Sequence, residues 1–144
     1  MDGPTAAYIL APWPDDALDY APLPVSGDDG FPQMFLIDMQ GVVYRITLTV
    51  IYSDPAYVLD PDYEGAVYEL PDPDLGLYLD LRVEREDLPD PGRLLGVRRV
   101  VLDMPIAFGP LRLRFSRVRV ARGNLVQPGK FGSELVADVA VTDV

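Results

Sequence analysis

Arginines 112, 114, 117 and 119 fall within the twelve residues "GPLRLRFSRVRV" (109–120). Guanidinium groups at that density have two chemistries open to them. They can displace counterions from the phosphates of a nucleic acid, or they can pair with protein carboxylates. Arg98, Arg99 and Arg122 are near enough in sequence to lengthen a cationic stripe. Carboxylates supply the remaining candidates. "DPDYEG" (60–65) sets Asp60, Asp62 and Glu64 at alternate positions ahead of Gly65, as in the first half of a calcium loop. The twelfth position of that loop is Pro71, which cannot close a coordination shell, so a solvated acidic turn is expected. Asp15–Asp16 and Asp28–Asp29 are paired acids, and glycoside hydrolysis would need such a pair held across a cleft. Both pairs lie in a proline-rich stretch, so catalysis is not expected of them.

Histidine and cysteine are both absent. That removes disulfides, thiolate chemistry, imidazole and thiolate metal sites, and the commonest general base. No catalytic, cofactor-binding or metal-binding residue is therefore expected, and the chain reads as a non-enzyme. The absence of cysteine fits a reducing compartment. No apolar run approaches the length of a membrane span, and no signal peptide or membrane partner is expected.

The elements that must carry these side chains are strands. Leu111, Leu113 and Phe115 alternate with Arg112 and Arg114; then the phase slips, and Val118 and Val120 alternate with Arg117 and Arg119. Period two means one buried and one wet face, and the slip at Phe115–Ser116–Arg117 predicts a β-bulge or a sharp bend. "MFLIDMQGVVYRITLTVIY" reads as a hairpin turning near Gln40–Gly41, with Tyr44, Ile46, Leu48 and Val50 on one face. Leu77, Leu79, Leu81 and Val83 line another strand, "LLGVRRVVLDMPI" gives one or two short ones, and "ELVADVAV" an interior one. Fifteen prolines and twelve glycines in 144 residues suit short strands joined by turns. The expected fold is all-β: a small antiparallel barrel or sandwich of about seven or eight strands. Residues 34–144 form that single β-domain, preceded by an extended, acidic, proline-rich arm over 1–33. The arm either lies along its own domain or docks on a neighbour through Trp13 and Tyr20.

Charge decides what the arginine row faces. Residues 1–81 hold fifteen acids and one base, a net of −14, while residues 82–144 hold eleven bases and eight acids, a net of +3. The acidic half would repel a polyanion, and no aromatics interleave with the arginines to stack bases. Ion pairing with acidic strands or an acidic neighbour is expected instead, the two halves meeting within one molecule or between copies.

With the strands in order, residues 42–144 resemble the small β-domain of phage baseplate plug proteins of contractile tails and phage-tail-like particles. "VVYRITLTVIY" is similar to that family's opening strand. "LYLDLRVE", an acidic turn and "LLGVRRVVLDMPI" resemble its aromatic-start strand and glycine-valine segment. "LRLRFSRVRV…LVQPGKFGSELVADVAV" resembles its closing pair of strands around a proline-glycine loop with "FG". The arm looks like an addition to that pattern, and the loop over 53–65 looks long for it. The resemblance implies a structural virion protein of the tail baseplate, made in the host cytoplasm and assembled with hub, spike or tube-initiating proteins, in a symmetric arrangement. It implies no enzymatic activity and no direct contact with nucleic acid. Trp13, Tyr20, Arg112, Arg114, Arg117 and Arg119 are the candidate protein-contact residues. Two other readings fit the residues. One is an acidic decoy of a nucleic-acid-binding enzyme, which needs the first-half carboxylates on one surface. The other is a ligand-binding sandwich with Tyr52, Tyr57, Tyr63 and Tyr68 clustered on one face.

Overall fold

A computed structural model describes residues 18–53 and 65–142. Nine strands are present among them: β1 (Ala21–Pro22), β2 (Gln33–Met39), β3 (Val42–Ile51), β4 (Val67–Glu69), β5 (Tyr78–Arg85), β6 (Leu94–Arg99), β7 (Ile106–Phe108), β8 (Leu111–Ala121) and β9 (Glu134–Val141). They form two antiparallel sheets that stay separate, so the fold is the sandwich and not the closed barrel. The first sheet runs β1-β9-β8-β4, with β7 also on β8; the second runs β2-β3-β5-β6. The count exceeds the expected seven or eight because the two-residue β1, inside the proline-rich segment, is too short to show a period in sequence.

The alternating rows do what their pattern dictates. On β3, Tyr44, Ile46, Leu48 and Val50 are buried; on and just before β5, Leu77, Leu79, Leu81 and Val83 join them. The first sheet meets them with Leu111, Leu113, Phe115, Val118 and Val120 of β8 and Leu135, Ala137 and Val139 of β9. Each Val, Leu, Ile or Phe among them contributes roughly 1.5–3 kcal/mol by leaving water, which makes register, and not propensity, the quantity the fold enforces. The β2–β3 hairpin closes through Gln40 (φ 57°) and Gly41 (φ 86°), the two positive values that a tight two-residue turn requires. Gly41 N–H donates to Asp38 Oδ1 at 2.9 Å.

The described part of the proline-rich segment is stitched to the domain. Ala21 and Pro22 pair with Val139 and Asp138 of β9, and Leu23 and Phe31 enter the core. Between them a 3-10 turn at Gly27–Asp29 is held by Asp28, whose Oδ1 accepts the N–H groups of Gly132 and Ser133 at 3.1 and 3.0 Å. Asn124, fully buried, completes this knot. Its Nδ2 donates to the carbonyls of Gly129 (3.0 Å), Gln127 (3.2 Å) and Asp28 (3.4 Å), and its Oδ1 accepts from Ser133 Oγ. Asp28 is thus a loop brace, as its neighbours' unpaired backbone donors demand.

Candidate protein-contact site

The arginine row is set by the bulge on β8. Phe115 pairs with Ala137 and Arg117 with Val136, leaving Ser116 as the extra residue. Were Ser116 instead taken into an unbulged strand, the strict alternation that buries Leu111, Leu113 and Phe115 would point Val118 and Val120 at solvent. With the bulge, both apolar runs face the core, and Arg112, Arg114, Arg117 and Arg119 share the outer face of the first sheet. Phe115 is also tethered on the opposite side of β8, where its carbonyl accepts Asp103 N–H at 2.7 Å.

Three of the four arginines are matched by carboxylates of β9. Arg114 lies 3.7 Å from Asp138, Arg117 3.1 Å from Glu134, and Arg119 3.9 Å from Glu134. Arg119 also stands opposite Glu69 of β4 in register. Arg112 turns toward the β7–β8 connection and donates to the carbonyls of Gly109 (2.6 Å) and Leu111 (3.1 Å). Tyr20 joins the face, its ring 4.0 Å below the Arg114 guanidinium, a stacking that holds a planar cation. Of the residues expected here, Tyr20, Arg112, Arg114, Arg117 and Arg119 therefore come together on one face, while Trp13 lies outside the described residues. Arg98 and Arg99 do not extend the row. They sit on β6 of the other sheet, where Arg99 covers the Tyr78 ring at 3.8 Å. Arg122 is carried past the strand end into a 3-10 turn, beside a cleft of about 380 Å³ that also receives Lys130 and Phe131.

A second charged cluster has no counterpart among the residues picked out by spacing. On the outer face of the other sheet, Arg45 Nε reaches Glu86 Oε2 at 2.7 Å, Arg93 binds the same carboxylate at 2.5 Å, and Glu84 lies between Arg82 (3.5 Å) and Arg93 (3.8 Å). Hydrogen bonds from Arg93 and then Arg45 hold the Glu86 carboxyl below its ordinary range, and the Arg85 hydrogen bond does the same for Asp87. Burial pushes the Tyr44 hydroxyl upward, partly offset by Arg85. The acid-rich and base-rich halves meet across strands at Glu69–Arg119 and Asp80–Arg99. The ion pairs joining described residues, however, draw their carboxylates from Glu84, Glu86, Asp87, Glu134 and Asp138, all in the second half. Among the described residues, the expectation that the first half meets the second within one molecule is met at those two register positions. Sequence spacing missed Glu134 as the partner of two arginines. The signal was there, since Glu134, Val136 and Asp138 alternate with buried Leu135, Ala137 and Val139.

The other candidates fare as follows. Asp15, Asp16, Asp60, Asp62, Glu64, Tyr57 and Tyr63 lie outside the described residues. Tyr68 is buried in the core and Tyr52 packs against it, so these two do not offer an exposed aromatic surface. Asp38 and Asp80 stand on one sheet and Glu69 on the other, which divides the first-half carboxylates a decoy would need on one surface. No protein-family model, curated protein or solved structure matches the chain.

Proposed function

We propose that this protein is a plug-like structural component of a phage tail baseplate, working by protein–protein assembly with hub, spike or tube-initiating proteins. Its place would be the virion, in a symmetric tail assembly, with no catalytic step and no direct nucleic-acid contact. The observation that carries the reading is the outer face of the first sheet. There a rigid, bulge-phased strand presents arginines already interleaved with carboxylates, Arg117 and Glu134 remaining about half exposed at 53% and 49%. Phosphates approaching that face would meet Glu134 and Asp138 within 4 Å of the same guanidinium groups, a poor match for a polyanion. A protein surface with both signs of charge matches it well, since complementary charges fix partner and register. The sequence resemblance of residues 42–144 supplies the class of partner. The test is the double variant Arg117→Glu/Arg119→Glu in cells producing the tail particle. The expected result is a folded protein and at least a ten-fold loss of complete particles. Unchanged particle yield with a folded variant overturns the role of this face.

A further inference from the structure

The two sheets end differently, and the difference points to a second copy of this chain. On the first sheet the edges are the two-residue β1, which contains Pro22, and the three-residue β4 and β7. On the second, β6 carries Gly96, Arg98 and Arg99 and pairs irregularly at Val83/Glu84. Short strands, proline, charged side chains and bulges are the devices that blunt an edge against pairing. Strand β2 has one of them alone, the exposed carboxylate of Asp38 near its end. It is seven residues long, regular in register from Gln33 to Met39, without proline, lysine or arginine, and among the described residues no strand lies on its outer side.

The hairpin geometry says which groups are left over. Met39 and Val42 flank a two-residue turn and form a hydrogen-bonded pair, so Ile37, Phe35 and Gln33 also direct N–H and C=O toward β3. The bond from Glu86 N–H to the Val43 carbonyl, at 2.9 Å, confirms that the alternate residues of β3 point away from β2. The matching residues of β2, Met34, Leu36 and Asp38, therefore direct their backbone groups to the open edge. Their side chains share the solvent face, where Met34 is 54% and Leu36 52% exposed.

We propose that β2 pairs antiparallel with β2 of a second copy, about a two-fold axis through Leu36, joining the two four-stranded sheets into one. In this register Leu36 faces its own mate and Met34 faces the mate of Asp38. All three residues with outward backbone groups are then paired reciprocally. Sliding by two residues in one direction sets Asp38 against Pro32, which has no N–H; sliding in the other sets Met34 against Gln40 in the turn. The self-complementary register also keeps the two Asp38 carboxylates from opposing each other, and it covers the exposed leucine with leucine. Each copy carries a net charge of −11, so long-range repulsion resists this association and added salt strengthens it. Capture of a basic strand from another protein would show the opposite salt dependence. This inference does not depend on the tail role proposed above.

The chain has no cysteine, which makes the register directly measurable. Hydrogen-bonded antiparallel partners have Cα atoms about 5.5 Å apart, inside the range a disulfide spans. Four residues of offset separates Asp38 from its own mate by about 13 Å along the strand. Under mild oxidation Leu36→Cys is expected to form a covalent dimer at least ten times faster than Asp38→Cys. Sedimentation of the wild-type chain should show a dimer whose fraction rises with salt, and Leu36→Lys should sediment as a folded monomer. Equal cross-linking rates at 36 and 38, or a wild-type chain that remains monomeric at all salt concentrations, would overturn the proposal.

Discussion

Deleting a residue from the middle of a central strand should unfold a sandwich, and here one such deletion should not. Removing Ser116 lets Arg117 follow Phe115 directly, so Leu111, Leu113, Phe115, Val118 and Val120 fall on one face in unbroken alternation. The pairings Phe115–Ala137, Arg117–Val136 and Val118–Leu135 are already in step for that. The losses are the exposed 3.4 Å bond from Ser116 Oγ to the Val136 carbonyl and distortion of the Asp103 tether to Phe115, a cost of about 1–2 kcal/mol. Removing Arg114 instead shortens the strand by the same amount but before the bulge. Its cheapest rescue straightens the bulge by turning Phe115 outward and Ser116 inward. Phe115 is fully buried, so that rescue costs about 3–5 kcal/mol, a large share of the 5–15 kcal/mol typical of a whole domain. Urea denaturation followed by tryptophan-independent far-ultraviolet circular dichroism reads both midpoints. A modest drop is expected for the Ser116 deletion and a far larger one, or no folded protein, for the Arg114 deletion. Equal losses, or a worse outcome for Ser116, would refute the claim that a single inserted residue phases the arginine face.

Three further outcomes follow from the same structure. Asn124→Ala removes the buried amide that links the Asp28 turn to the loop after β8, leaving carbonyls and Ser133 Oγ without it; the expected loss is about 2–4 kcal/mol in urea titrations. Gln40→Asn puts a residue that tolerates positive φ at the first turn position and should raise stability by about 0.5–1 kcal/mol. Glu86 has a folded pKa below its ordinary 4.5, set first by Arg93 and then by Arg45. Its stabilising effect is therefore complete above the unfolded value and lost as pH falls through the depressed one. Glu86→Gln should flatten the acid side of the stability profile below about pH 4.5 while leaving its slope near neutrality unchanged.

The residues show why some of this was legible and some not. Alternation identified the core faces of β3, β5 and β8, because burial on one side of a strand writes itself into every second position. The bulge was legible for the same reason, as a break in an otherwise strict pattern at Ser116. Burial of Leu23 and Phe31 was hidden by proline spacing, which marks extended backbone but not what that backbone leans on. The Arg45–Glu86–Arg93 cluster joins residues 41 positions apart across β3 and the β5–β6 turn, and its members look like scattered surface charges until the sheet brings them together. The partners of the arginine row were half visible: the outward face of β9 alternates correctly, but which of its carboxylates meets which arginine depends on the register offset that the bulge creates. The open edge of β2 could not be read at all, since whether a strand is an edge is a property of sheet order and not of its own residues.

The most direct test of the central claim is to purify contractile-tail particles from cells that make this protein and to quantify it, per particle, by mass spectrometry. A structural baseplate component predicts a fixed, small copy number that stays with the baseplate fraction through density sedimentation and moderate salt. A protein absent from the particles, or present in amounts that wash away with salt, would contradict it.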